Sequence, residues 1–504
     1  MKIRVGVILA GTIVGTMAMT LVACTETANE EQTVQEQTLV LGEGVSDVGL
    51  VSESSADQYP NVVFILLDDM GFGDVGYNGS EIATPVLDQM AADGVRLDRN
   101  YVYPICSPTR AALLTGQNPL YHGVDAPMAV DKSLPLGLKL MPEYFKELGY
   151  QTFIAGKWHL GMANTDFWPI SRGFDSHYGF LGGWTDFYTH VGAGGLDWQR
   201  QGKSLREEGH TTDLLTAEAL RVIESRQEDK PFFLYMAYNA PHTPLQTVPT
   251  ISGLNEAAEA GDRYAYAEMV THADAGIGAI IEALEAEGIL EETIIVFSSD
   301  NGGSLVHGAS NGSLNGGKGN TYEGGIRVPG IVWWPGHVEG GRVMEQSIIV
   351  YDWLPSLLDA VGGDASVVDD AHGQSMWAAI TGNEPSESQV MVFGARDHRA
   401  VIDWPWKLVR LENGGVREEA QLFNIVDDPN EQNDLATENL EKMSELLAVL
   451  TAMQDVESRR AAPTNRPGNF YVEGEGRDFE ARLEESREPW AEAAIRGSQS
   501  DVSD

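Results

Sequence analysis

The sequence predicts an α/β fold: a mainly parallel sheet sandwiched by helices, followed by a smaller C-terminal antiparallel sheet with one packed helix. Apolar runs of strand length alternate with helical stretches through most of the chain, the order expected of parallel strands with helical crossovers. The runs are continuously apolar, as strands buried on both faces must be. Each one stops abruptly in polar residues and glycines. In a parallel sheet those stops all fall on the carboxyl edge, where ligands bind.

The first run, Val62–Leu67, ends in Asp68 and Asp69, then Gly71 and Gly73. Thr152–Ala155 leads into Gly156-Lys157-Trp158-His159, and Phe232–Met236 into Asn239-Ala240-Pro241-His242. Thr293–Phe297 leads into Asp300-Asn301-Gly302-Gly303. Helices are predicted over 84–93, 109–116, 141–149, 213–226 and 264–288. The last has Met269, Ile277, Ile280, Ile281 and Leu284 as its buried stripe. Asp74, isolated after the first strand, reads as a helix cap. Residues 60–380 make the principal domain. A C-terminal subdomain over 381–456 follows, with short strands at Gln389–Phe393, Arg399–Ile402, Lys407–Arg410 and Gln421–Asn424 and a helix over 439–455. Residues 457–504 form a polar extension with no legible function.

The chain has 504 residues, and 33 Lys and Arg stand against 75 Asp and Glu, for a formal net charge of -42. Nucleic-acid binding needs basic surface, so that class is excluded. The excess suits high solubility and a salty habitat. It also means that an anionic substrate needs a local cationic pocket. With only two cysteines, Cys24 and Cys106, a disulfide framework is not expected.

Lys2 and Arg4 precede an apolar, acid-free run from Val5 to Ala23, the layout of a signal peptide over 1–23. It ends in Leu21-Val22-Ala23-Cys24, which resembles a bacterial lipobox. That resemblance implies lipid on Cys24 and an exported lipoprotein held at the membrane. Thr25 in place of Asp directs it to the outer membrane, facing the periplasm or the cell surface. Residues 24–59 then serve as a polar tether, spanning roughly 30–35 Å as a flexible chain.

Cys106-Ser107-Pro108-Thr109-Arg110 precedes Ala111–Gly116. Pro108 suits the first helical position, Ser107 the cap, and Gly116 the stop. Cys106 is thus expected just before a helix N-terminus, a position that stabilises anions, with Arg110 one turn on. An activated thiolate would suit this place too, with His159 or His242 as its partner.

Cys-x-Pro-x-Arg followed by Leu-Thr-Gly resembles the signature of the type I, formylglycine-dependent sulfatases. Leu67-Asp68-Asp69, Gly156–Gly161, Pro241–Pro244, Ser299–Gly303, and Gly317-Lys318 with Glu323–Arg327 match further blocks in the family's order. The likeness covers roughly 60–450. Arg172–Asp175 and Asp186–His190 are most similar to the arylsulfatase B branch, which acts on sulfated sugars.

The resemblance implies an alkaline-phosphatase-like fold. It also implies that a maturation enzyme oxidises Cys106 to formylglycine, whose hydrated form attacks sulfur. Asp68, Asp69, Asp300 and Asn301, with the modified Cys106, would hold a divalent metal. All-oxygen ligation suits Ca²⁺ or Mg²⁺, and the family favours Ca²⁺. Arg110 would hold the modified residue, and Lys157 and Lys318 would clamp sulfate. His159 and His242 would share the proton transfers, with His242 the candidate acid. Trp184, His190 and His307 lie in loops where they could contact a sugar, an algal polysaccharide in such a habitat. The alternatives are a formylglycine-dependent phosphonate or phosphodiester hydrolase of the same superfamily, and a glycan-binding surface lipoprotein.

Overall fold

The continuous apolar runs do form strands buried on both faces. A computed structural model describes residues 59–459, except 163, 193–194, 250–254, 256–260, 369–370, 383–384, 386–388 and 414–415. The signal segment, Cys24 and all but the last residue of the tether lie outside the described residues, as do residues 460–504.

The strands of the main sheet are β1 (Asn61–Leu67), β2 (Val95–Tyr101), β3 (Gln151–Lys157), β4 (Ser176–Phe180), β5 (Phe232–Ala237), β6 (Thr293–Ser299), β7 (Gly330–Trp333) and β8 (Arg342–Ile349). The order is β2-β7-β6-β1-β5-β3-β4, with β8 paired to β2 and two-residue strands extending the edges to 11 strands. From β6 to β4 every pairing is parallel. β7 then runs antiparallel to β6, and β2 antiparallel to β7. The sequence reading missed β2, β4, β7 and β8. Val95–Tyr101 and Arg342–Ile349 intersperse polar with apolar residues because they are only partly buried, so they show no continuous apolar run.

β1 lies at the centre and explains the two cores. Val62, Phe64 and Leu66 point into one, Val63, Ile65 and Leu67 into the other. The second core takes in helices α1 (Pro85–Asp93), α4 (Thr211–Ser225) and α5 (Asp262–Ala286). On the α5 stripe Met269, Ile277, Ile280 and Leu284 are fully buried, and Ile281 packs partly buried beside them. The first core takes in α2 (Cys106–Thr115), α3 (Met141–Glu147) and α6 (Trp353–Ala360).

A four-stranded antiparallel sheet follows: β9 (Met391–Ala395), β10 (His398–Asp403), β11 (Trp406–Arg410) and β12 (Gln421–Asn424). Helix α7 (Leu440–Arg459) packs on it through Leu446 and Leu450. Phe393, Val401 and Leu408 of this sheet belong to the same core as Tyr101 and Tyr103. The described residues accordingly fall within one compact unit.

Parallel register puts the chemistry on one edge. Leu67 pairs with Ser299, so Asp68 and Asp300 leave neighbouring strands side by side. Gly156 pairs with Ala237 on the other flank of β5. Its φ is +117°, and a Cβ there would lie 1.8 Å from the Ala237 carbonyl oxygen. Only glycine allows β3 to approach β5 closely enough to deliver Lys157.

Candidate active site

Helix α2 begins two residues earlier than its proline suggests. Ile105 is the N-cap and Cys106 the first helical residue, while Gly116 closes the helix at φ +67°. All ten residues are buried, including Ser107, Thr109 and Arg110. Ser107 does not cap. Its hydroxyl donates to the His159 carbonyl at 3.0 Å and accepts from the Met128 N–H at 2.9 Å, tying the nucleophile helix to the β3 loop.

Cys106 Sγ lies 3.2 Å from His159 Nδ1. Burial pushes the thiol up, with Asp300 and Asp68 adding to the rise against Lys157 and Lys318. Burial pushes His159 well below its usual range, and Lys157 and Arg110 add to that. The pair is therefore neutral thiol and neutral imidazole. The thiolate–imidazolium pair of a cysteine hydrolase is disfavoured on both sides.

Arg110 donates to Asp300 Oδ2 through Nε at 3.1 Å and Nη2 at 2.8 Å. Its Nη1 reaches the Lys157 carbonyl at 3.1 Å and the Tyr235 hydroxyl at 3.4 Å. Lys157 Nζ meets Asp68 Oδ2 at 2.5 Å, with both side chains fully buried. Lys318 Nζ lies 2.6 Å from Asp69 Oδ1. Burial alone would raise the Asp69 carboxyl, but Lys318, His242 and the Asn301 amide outweigh it and hold it low. Three carboxylates and three cations thus share one buried cluster, whose formal charges cancel within a strongly acidic chain.

His242 Nδ1 donates to the Thr243 carbonyl at 2.7 Å, which leaves Nε2 facing Asp69 Oδ2 at 3.7 Å. Burial, opposed by Asp69, brings its pKa down to about 4. Asp69 and His159 both adopt left-handed backbone, at φ +71° and +56°. Such strain in non-glycine residues is held only where surrounding contacts enforce it, and it gathers at functional sites.

The donor set suits a hard divalent cation. Asp68, Asp69 and His242 bring ligand atoms within 4.8 Å of one another. Asp300 Oδ1 accepts from the Asp69 N–H at 3.2 Å, and Asn301 Nδ2 donates to Asp69 Oδ1 at 2.8 Å. Asp68 Oδ1 and Asn301 Oδ1 are buried and have no partner among the described residues. Orphaned buried oxygens among carboxylates fit Ca²⁺ or Mg²⁺ and do not fit a thiolate or imidazole metal. A second group, His210, Asp213 and His272, is also close together. There both nitrogens of the His210 ring are already committed, one accepting from the Thr212 N–H and the other donating to the Gln246 carbonyl.

The three sugar-contact candidates separate. Trp184 is exposed and follows Gly183, whose backbone lies against the site: a Cβ there would be 2.6 Å from the His159 ring. His190 is buried, stacked on Trp198 and donating to the Gly209 carbonyl. Its ring is committed to the loop. His307 is exposed at the end of a 3₁₀ turn, 305–307. Sequence reading missed Tyr235, which meets Arg110 from inside β5 and looks like any core aromatic.

A mostly parallel α/β sheet with acids, lysines and histidines gathered at its carboxyl edge is an alkaline-phosphatase-like fold. The sulfatase family model matches residues 60–363, and the chain belongs to that family. Arylsulfatase J of Mus musculus is 37% identical over 333 residues, covering 64% of this chain and 56% of that protein. N-acetylgalactosamine-6-sulfatase of Homo sapiens is 35% identical over 337 residues, covering 61% and 63%. The chain therefore spans less than two thirds of the length of either relative. The solved structure of Ps i-CgsB in complex with k-i-k-neocarrahexaose superposes with a TM-score of 0.74 at 31% identity, over 87% of this chain and 100% of that one. The PsFucS1 sulfatase from Pseudoalteromonas sp. shares the fold, with a TM-score of 0.68 at 23% identity over 81% and 92%.

Proposed function

We propose that this chain hydrolyses sulfate esters of carbohydrates, with Cys106 converted to formylglycine by a maturation enzyme. The observation that carries the reading is the convergence on Cys106, where His159 stands 3.2 Å from Sγ beside Arg110, Lys157 and Lys318. Formylglycine, once formed, supplies a hydrated aldehyde and hence an oxygen nucleophile, which a buried neutral thiol does not. A divalent cation held by Asp68, Asp69, Asp300 and Asn301 supplies concentrated positive charge for a sulfate oxygen, and the family resemblance favours Ca²⁺.

The chain's own residues do the rest. Lys157 and Lys318 bind sulfate oxygens and neutralise their charge at a largely buried site. Arg110 fixes Asp300 and the first turn of α2, so the reacting position is held rigidly. His159 Nδ1 takes the proton from position 106. His242 delivers a proton to the leaving oxygen from Nε2, and an anionic ester bound beside it favours the protonated ring. Trp184 offers a face on which a sugar can stack. The oligosaccharide bound to Ps i-CgsB supports a sugar oligomer as the substrate class. We also propose export and lipidation at Cys24, which radiolabelled palmitate incorporation would detect.

Parallel assays on 4-nitrophenyl sulfate and 4-nitrophenyl phosphate test the reaction, with mass spectrometry of the peptide carrying Cys106. The expected result is a large preference for sulfate and an aldehyde at Cys106. A preference for phosphate would reject the ester class. Full activity with an unmodified thiol would reject the nucleophile.

A further inference from the structure

Asp74 is fully buried, and its contacts exceed those of a cap. Its carboxylate accepts from the Gly71 N–H at 3.0 Å and the Ser310 N–H at 3.0 Å. Arg263 Nη1 meets it at 2.5 Å and the Tyr266 hydroxyl at 2.8 Å. Gly71 belongs to the loop that carries Asp68 and Asp69. Ser310 belongs to the loop that follows Asp300 and Asn301. The Gly73 N–H also donates to the Ser310 carbonyl at 2.9 Å, so the two loops are joined around this carboxylate as well as through Asp69. Arg263 and Tyr266 both rise from the first turns of α5, a long helix whose buried face is fixed in the core.

The same tyrosine hydroxyl lies 3.0 Å from the Asp69 backbone carbonyl. Asp69 is the residue held at φ +71°, and its carboxylate meets Lys318. The joint extends further. Asn311, next to Ser310, accepts from the Gly303 N–H at 2.9 Å and donates to the Gly316 carbonyl at 2.9 Å. The Lys318 N–H in turn donates to the Gly303 carbonyl at 3.1 Å.

We infer that Asp74 and Tyr266 are positioning residues: they lock Asp69 in its left-handed backbone and hold the two ligand loops in register for a divalent cation. The inference rests on the proposed metal at Asp68, Asp69, Asp300 and Asn301. Groups that orient ligands without touching the ion typically govern affinity by about 10- to 100-fold. A cap that served only the fold would change stability and leave affinity alone.

Ca²⁺ titration by calorimetry on the full chain, with thermal melting alongside, separates these roles. Asp74→Asn keeps the shape but turns a donor towards two N–H groups, and should weaken Ca²⁺ binding at least about 10-fold. Tyr266→Phe removes one hydroxyl from a buried ring and is the variant expected to fold if Asp74→Asn does not; it should weaken binding several-fold. Asp274→Ala, which removes a cap from α1 far from this joint in the sequence, serves as a control that lowers the melting temperature without changing Ca²⁺ affinity. Folded Asp74→Asn or Tyr266→Phe protein that binds Ca²⁺ as wild type does would overturn the inference and leave the metal reading standing. Wild-type protein that takes up no Ca²⁺ would overturn the metal reading and the inference with it.

Discussion

Arg110 is fully buried and uses each face of its guanidinium, on Asp300, on the Lys157 carbonyl and on Tyr235. Lysine carries one compact ammonium and cannot hold those partners together. Arg110→Lys should lose about 1.5–3 kcal/mol, because an ammonium keeps a charge beside Asp300 but gives up the two-nitrogen grip on its carboxylate. Turnover of an aryl sulfate should fall by about 100-fold through misplacement alone. Urea denaturation and steady-state kinetics check the two parts, and wild-type stability in the variant would show that Asp300 does not depend on this arginine. Most residue types of the site were legible in the sequence because they follow apolar runs, and Cys106, Arg110 and Lys318 because they sit in ordered motifs. Their pairing was not: nothing in Gly156-Lys157 says that the ammonium rests on Asp68.

At the scale of elements, α1 shows what periodicity leaves out. Its N-cap, Thr84, makes no side-chain cap. The first turn is satisfied from α5 instead, where Asp274 accepts from Leu87 N–H at 2.8 Å and Val86 N–H at 3.1 Å. Asp274→Ala should lower stability by about 1–2 kcal/mol, measured by thermal or urea unfolding. An unchanged midpoint would mean that water replaces the carboxylate at no loss. Helices and the long buried parallel strands β1, β3, β5 and β6 could be read from the chain, since each carries its own pattern. β2 and β8 could not, because a partly buried strand looks like polar loop until its partners are known. The start of α2 was misplaced for a related reason: proline permits a helix to begin but does not forbid an earlier residue from joining it.

For the whole molecule, a buried ionic triad joins the two sheets. Lys407 on β11 pairs with Glu323 at 2.8 Å and Glu431 at 2.8 Å, all three being buried. Glu323 also accepts from the Tyr101 hydroxyl at 3.0 Å. Lys407→Ala should destabilise by about 3–5 kcal/mol by stranding two acids. Denaturant unfolding measures this, and a loss below about 1 kcal/mol would place the pairs in effective contact with water. Buried histidine sets a second property. Burial pushes His177 down to about 4, and its Nε2 has no partner among the described residues. The unfolded chain, near the ordinary value of 6.5, binds the proton first. Stability from this residue is therefore full above pH 6.5 and is lost as pH falls towards 4, by at most about 3 kcal/mol. The difference in unfolding free energy between wild type and His177→Gln should shift across that window, and a constant difference from pH 4.5 to 7 would refute it.

The sequence alone determined the fold class, the edge of the sheet that carries chemistry, and the residue types gathered there, because strand burial and abrupt polar stops are local patterns. Its ordered motifs also identified the family. Tertiary structure decided which charges pair, which histidine faces Cys106, and that His190 is sealed into its loop while Trp184 stays open. It alone revealed Asp74 as the joint between two loops more than two hundred residues apart. Contacts of that separation depend on strand order and register, which no local stretch of chain encodes by itself.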